Sequence, residues 1–338
     1  MSHYTRPVTI LTGFLGAGKT TLLNHWLSGN PDRRYVIIEN EYGAQGIDNE
    51  LILRPDETIV ELNSGCLCCT LNDNLYELLN DLHDRREEFD EIIIEATGVA
   101  DPTGLAQPFL SHPLIKKHFP LRAIVCLVDA EQVERQLEET EEAIKQIAFS
   151  DILLLNKLDL IDDDRATSLV AMLGRLNPVA TLYTGHRGAF PEVDLSNSEE
   201  RLEQLYREER QHFMAAEAPA DFPVPRPHGH HHHHHTDSVV SHTFYLDRPF
   251  VMATLRQQLL VYLTFQARGL YRIKGLIWLE GEEEQYLLQS VGNRFDLTPK
   301  RPWQPKETRQ STLVFIGKDL RRGGLEKLLE RCLVRVKV

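Results

Sequence analysis

Between residues 13 and 21 the chain reads Gly13-Phe-Leu-Gly16-Ala17-Gly18-Lys19-Thr20-Thr21, the G-x-x-x-x-G-K-[ST] spacing. Glycines so placed let backbone N–H groups turn inward around a polyphosphate, and Lys19 adds a point charge. The apolar run Val8-Thr9-Ile10-Leu11 ahead of the loop reads as a buried strand, and Thr21 to Leu27 after it as a helix. That helix would offer its unpaired N–H groups and partial positive charge to the same anion. Gly16, Ala17, Gly18, Lys19, Thr20 and Thr21 are therefore the expected phosphate cradle, with the Thr20 hydroxyl on Mg²⁺. The chain is expected to bind a nucleoside triphosphate.

A second buried run, Asp151-Ile-Leu-Leu-Leu155, ends in Asn156-Lys157-Leu158-Asp159. A carboxylate at 159 can accept from both N1–H and the 2-amino group of guanine, whereas adenine would leave it unpaired. Asn156 is expected to brace the loop and the stem of Lys157 to lie over the base, so the nucleotide is read as GTP. A third run, Phe89 to Glu95, ends in an acid followed by Ala96-Thr97-Gly98. Glu95 is placed to hold a water of the Mg²⁺ shell, and the Gly98 N–H to approach the γ-phosphate. Loops of this kind switch, because loss of the γ-phosphate removes the contact that orders them. Lys19, Thr20 and Glu95 form the expected catalytic set.

The elements that must position these groups follow from the hydrophobic pattern. Besides the three runs above, Tyr35 to Ile38, Thr58 to Leu62 and Ala123 to Val128 read as strands. Leu71, Leu75, Leu78, Leu79 and Leu82 mark one helical face, and a charged helix is expected from Glu131 to about Ala148. Near-continuous apolar strands alternating with amphipathic helices predict an α/β fold, a P-loop NTPase parallel sheet with helices on both faces. Ligands gather at the carboxyl ends of such strands. The expected division is a GTPase domain over 1–213, a Pro- and His-rich linker over 214–238, and a small α+β C-terminal domain over 239–338. In that last unit Val239–Tyr245, Tyr271–Glu280, Gln285–Val291 and Thr312–Ile316 read as strands, and Met252–Gln266 and Leu320–Cys332 as helices.

Composition narrows the setting. The chain has 338 residues, 42% of them hydrophobic, and no apolar run approaches the roughly 18 residues of a membrane span. The first residues carry no basic-then-apolar leader, so a secretory signal is not expected. A net charge of −13 argues against nucleic acid as main partner, since a phosphate backbone would be repelled. Five cysteines, three of them within four positions, do not form a secreted disulfide framework, and a reduced cytoplasmic setting is expected.

Those three, Gly65-Cys66-Leu67-Cys68-Cys69, are expected on a strand-to-helix loop at the same sheet edge as the triphosphate. Thiolates select zinc, cobalt, copper(I) or iron over magnesium, and a helix N-terminus lowers thiol pKa. Cys66, Cys68 and Cys69 thus read as ligands of a transition metal, with Glu39 and His112 as candidates to complete a tetrahedron. A redox pair and inert buried thiols are the competing readings. Cys126 in mid-strand and Cys332 beside Leu328 and Leu329 read as core. The run His228-Gly-His230 through His235 reads as a metal-buffering linker or a plain low-complexity one.

Taken together, Gly13–Thr21, Glu39-Asn-Glu-Tyr-Gly43, Gly65–Cys69, Glu95-Ala-Thr-Gly-Val-Ala-Asp-Pro102 and Asn156–Asp159 resemble the motif series of the CobW-type GTPases. Arg272-Ile-Lys-Gly-Leu-Ile-Trp278 and Arg301-Pro-Trp303 are similar to the C-terminal domain of that family. The resemblance implies slow GTP hydrolysis coupled to binding a transition metal, most often zinc, and handing it to a client protein. It also implies that Asp48 faces the nucleotide metal, alongside Thr20 and Glu95. Where several relatives carry a glutamate, this chain has Ala44, so a secondary metal site using that carboxylate is not expected. No glutamine or arginine stands out as a transition-state group, which fits slow turnover, helped by a partner or a homodimer. Two alternatives stay open: maturation of a cobalt or metalloenzyme cofactor, of cobalamin or nitrile hydratase type, and a regulatory GTP switch with structural cysteines.

Overall fold

Apolar side chains on both faces of successive short strands require cover on both sides, and the structure supplies it. It is a computed structural model that describes residues 5–40, 58–61, 70–98, 100–190, 193–195, 198–215, 239–305 and 307–335. The first half runs β1 (Val8–Gly13), α1 (Lys19–Gly29), β2 (Tyr35–Asn40), β3 (Thr58–Glu61), α2 (Thr70–Asp84) and β4 (Glu91–Ala96). It continues through α3 (Pro102–Ser111), α4 (Pro113–His118), β5 (Leu121–Asp129), α5 (Val133–Glu139), α6 (Glu141–Phe149) and β6 (Ile152–Asn156). Next come α7 (Asp163–Leu176), β7 (Thr181–Thr184) and α8 (Glu200–Ala215).

The seven strands form one parallel sheet in the order β3-β2-β4-β1-β5-β6-β7. Val8, Ile10, Ile92 and Ile94 pack beneath Leu75, Leu79, Leu105 and Phe109 of α2 and α3. The alternate residues Leu11, Val125, Ile152 and Leu154 meet Leu22 of α1 on the opposite face. The expected P-loop type of α/β sheet is therefore what the chain forms.

Two details depart from the sequence reading. The charged helix expected from Glu131 to Ala148 is two helices, because Thr140 takes an extended conformation between them. Its hydroxyl oxygen accepts from the Ala143 N–H at 3.3 Å, and its hydroxyl donates to the Gln136 carbonyl at 3.1 Å. One side chain thus ends α5 and caps α6. The seventh strand, β7, lies outside the expected set. It is four residues long and partly exposed at the sheet edge, too short for a periodic signal.

The second unit runs β8 (Val239–Leu246), α9 (Met252–Phe265), β9 (Leu270–Trp278), β10 (Glu284–Val291), β11 (Arg294–Pro302), β12 (Ser311–Lys318) and α10 (Arg322–Glu330). Its strands form an antiparallel sheet in the order β11-β10-β9-β12-β8. β11 also escaped the sequence reading. It carries Pro299 and Pro302, which an edge strand accommodates and an inner strand does not. Ile273, Ile277, Leu313 and Phe315 face α9 and α10. Leu276, Leu287, Val314 and Ile316 face the other way, onto Ala148, Val179, Leu202 and Tyr206 of the first unit.

A buried charge cluster sits within that contact. Asp151, just before β6, accepts from the Ile124 N–H at 2.9 Å, from Arg272 at 2.5 Å and from Lys274 at 2.5 Å. Burial pushes its pKa up, but the two cations outweigh that and hold it at about 2. Burial pushes the Lys274 ammonium down, against the pull of Asp151. Arg272 also donates to the Phe149 carbonyl at the end of α6. Among the described residues no helix is long and apolar enough to cross a membrane. The linker residues 216–238, with the histidine run, lie outside the described residues; α8 extends to Ala215, past the expected start of the linker at 214.

Candidate nucleotide and metal site

The parallel sheet brings the chemistry-bearing residues to its carboxyl rim. β1 ends in Gly13 at φ 140°, and the turn that follows holds Gly16 at φ 79° and Gly18 at φ 101°. These left-handed conformations favour glycine. A Cβ at Gly13 would stand 2.3 Å from the Leu127 carbonyl oxygen, and one at Gly18 would stand 2.9 Å from Asn156 Nδ2. The loop is thereby folded into a cradle ahead of the α1 N-terminus. Lys19, 9% exposed, donates from Nζ to the Gly13 carbonyl at 2.9 Å across the cradle. Thr20 follows it in the first turn of α1.

Asn156, at the end of β6, stitches three segments together. Its Nδ2 donates to the Ala17 carbonyl at 2.9 Å, and its Oδ1 accepts from the Gly188 N–H at 3.2 Å. Lys157 has φ 64°, and its Nζ reaches Asp129 at 2.7 Å, a carboxylate only 2% exposed at the end of β5. Asp129 in turn accepts from the Glu131 N–H at 2.9 Å. Asp159 begins no strand or long helix. It sits in a 3₁₀ turn, Leu158–Leu160, with Arg187 at 3.8 Å. An acceptor carboxylate on a rigid turn beside the cradle can read the edge of a guanine ring.

Glu95 occupies the next-to-last position of β4. In the sheet register it lies level with Glu39 of β2, which lies level with Glu61 of β3, so three glutamates occupy one row along the rim. Neighbouring strands are about 4.8 Å apart. Glu39 is 6% exposed. Beyond β4 the chain passes the phosphate loop so closely that a Cβ on Gly98 would be 2.6 Å from the Leu15 backbone nitrogen. The Thr97 hydroxyl between them is buried with no hydrogen-bond partner. This cradle, the orphan hydroxyl and the Glu95 carboxylate fit a triphosphate with its Mg²⁺: hydroxyl and carboxylate oxygens are what that hard cation takes.

Gln146 of α6 closes the back of this loop. Its Nε2 donates to the Gly98 carbonyl at 3.2 Å and to the Ala100 carbonyl at 3.1 Å. Sequence reasoning missed Gln146, Asp129 and Gly188. Asp129 had a signal, an acid at the end of an apolar strand as at Glu95; the other two had none.

His112 departs from its expected place on the rim. α3 descends from the rim, and its ten residues carry His112 about 15 Å toward the amino ends of the strands. There Nδ1 accepts from the Ile115 N–H at 3.4 Å as the cap of α4, and the ring packs on Tyr76 at 5.6 Å. Asp48, Cys66, Cys68 and Cys69 lie outside the described residues, between β2 and α2. The other two cysteines are buried, with thiols pushed up by burial to about 12 for Cys126 and about 11 for Cys332. Neither is a thiolate ligand.

Residues 7–184 match the CobW/HypB/UreG nucleotide-binding domain, and residues 239–333 match the C-terminal domain of cobalamin synthesis protein CobW. The chain belongs to the CobW/HypB/UreG family. This CobW-family chain is 34% identical over 320 residues to zinc chaperone YjiA of Escherichia coli K12, covering 92% of itself and 93% of YjiA. It is 31% identical over 359 residues to zinc chaperone CobW of Pseudomonas aeruginosa, covering 97% of itself and 91% of that protein. The crystal structure of Zn(II)-bound YjiA GTPase from E. coli superposes with a TM-score of 0.68 at 28% identity, covering 98% of this CobW-family chain and 99% of YjiA.

Proposed function

We propose that this chain is a GTPase that binds zinc and passes it to a client protein. One observation supports the reading above others: the phosphate cradle, the Asn156–Asp159 turn and the glutamate row share one rim of a single sheet. The relatives named as zinc chaperones, and the Zn(II)-bound YjiA GTPase, add the metal and the hydrolysis.

The cradle from Gly16 to Thr21 holds the phosphates, with backbone N–H groups and the α1 N-terminus facing the anion. Lys19 exchanges its tie to the Gly13 carbonyl for the β- and γ-phosphates. Thr20, Glu95 and Asp48 would hold Mg²⁺, which would neutralise charge on the phosphates. Asp159 accepts from the guanine edge, Lys157 covers the ring, and Asp129 holds the Lys157 ammonium. The Gly98 N–H senses the γ-phosphate.

Cys66, Cys68 and Cys69 grip the zinc, with Glu39 of β2 as the further ligand. Because Glu39 and Glu95 are level neighbours, rearrangement at the γ-phosphate reaches the cargo through one strand pair. Reciprocity then holds: if GTP tightens zinc binding, zinc tightens GTP binding by the same factor.

Zinc is titrated into the protein loaded with GDP and with a non-hydrolysable GTP analogue. Tighter binding in the GTP-analogue form, lost in the Cys66→Ser/Cys68→Ser/Cys69→Ser variant, is the expected result. Equal affinities in the two forms would overturn the coupling, and retained affinity in the variant would overturn the cysteine site.

A further inference from the structure

The C-terminal unit differs from the rest of the molecule in charge. From residue 239 onward it carries 17 Lys and Arg against 10 Asp and Glu, within a chain of net charge −13. Its positive charge is not evenly used. Arg248, Lys300, Arg301, Arg309 and Arg322 each hold a carboxylate. Arg268, Arg321, Lys327 and Arg331 do not, and none of the four is ion-paired to a described residue. All four line one groove of about 440 Å³ between α9 and α10, where Asp319 is the lone acid.

The wall of that groove is apolar and incompletely covered. Val261, Leu325 and Leu328 line it, and Val261 is 41% exposed. One turn further along the same side of α9, Phe265 is 77% exposed. Across from them α10 carries Gly323 and Gly324. A Cβ at either would meet nothing within 4 Å, so no packing inside the chain calls for glycine, although glycine weakens a helix. At Gly324, which faces the groove, the missing side chain leaves room for another backbone to come close.

We propose that the α9–α10 groove docks an acidic amphipathic helix of a partner protein. Apolar residues at i, i+3 or i+4, and i+7 would cover Val261, Phe265 and Leu328, and carboxylates would meet the four unpaired cations. The close approach at Gly324 suits a helix backbone. An anionic membrane fits less well, because a flat surface does not enter a concave groove. The proposal does not depend on the zinc reading, because it concerns a surface of the C-terminal sheet's helical face.

The test pans the full-length protein against a phage library of random residues displayed on a helical peptide. Enriched peptides are then synthesised and measured by fluorescence anisotropy. Net-negative winners with the i, i+3/i+4, i+7 apolar pattern are expected, binding more weakly as salt rises. Arg268→Glu combined with Arg331→Glu should weaken them at least tenfold, as should Phe265→Ser, at a side chain whose exposure keeps folding out of the comparison. Gly324→Gln should also weaken them tenfold while the melting temperature stays level or rises. Winners without acidic bias, affinity unchanged by Gly324→Gln, or binding to phosphatidylserine vesicles without binding to acidic helices would each overturn the proposal.

Discussion

Asn156 joins the two halves of the pocket. It is 2% exposed and bridges the phosphate loop to the Gly188 turn, so the distance between phosphate and base recognition is set by one amide. Asp159 lies three residues on, and its chemistry gives a direct prediction. Asp159→Asn exchanges an acceptor for a donor, leaving the guanine 2-amino group facing N–H. GTP affinity should fall about 10- to 100-fold, while xanthosine triphosphate, with a carbonyl at that position, should gain. Competition between the two nucleotides, followed by displacement of a fluorescent analogue, measures it. At this scale the spacing of Gly13–Thr20 and Asn156–Asp159 was legible, because each motif is local. Gly188 was not, and Asp129 showed only as an acid ending an apolar strand: a crossover of the chain brings them to Asn156 and Lys157, and no spacing announces a crossover partner.

α6 is the element that ties the loop after β4 to the second unit. Gln146 holds the Gly98 and Ala100 carbonyls, and three residues beyond it the helix ends at Phe149, whose carbonyl accepts from Arg272, the partner of Asp151. Gln146→Leu would leave two carbonyls without their donor, a loss of about 1–3 kcal/mol in stability. Its effect on turnover separates two roles. If the tie positions Gly98, GTP hydrolysis should slow about tenfold with GDP affinity within twofold of wild type; equal weakening toward GDP and a GTP analogue would make the contact merely structural. The break at Thr140 that creates α6 was legible in part. A threonine followed by Glu141 and Glu142 is an N-terminal signal, but the run of glutamates on both sides concealed it in one long polar stretch. β11 was concealed by its prolines.

For the molecule as a whole, the two units are joined by an apolar contact with Asp151 at its centre. That carboxylate is held at about 2, from an ordinary 3.8. A folded-state value below the unfolded one means stability present above about pH 4 and lost as pH falls from about 4 to about 2. The shift corresponds to about 2 kcal/mol, and denaturant unfolding across that window should show the decline. Asp151→Asn should remove more, about 3–5 kcal/mol, because Arg272 and Lys274 would stay buried without a counter-charge. The loss should appear at neutral pH as well. Nothing in the sequence marked Asp151 as more than the first residue of an apolar run, since its cationic partners lie more than a hundred residues away.

That separation has a consequence for synthesis. Asp151 leaves the ribosome 121 residues before Arg272, which at ordinary elongation rates is about 6–24 s. Through that interval the nascent first half presents Ala148, Val179 and an uncompensated carboxylate on the flank that β9 will later cover. The growing chain is born with an unfinished side, and newborn-chain shielding should be needed until the strand arrives.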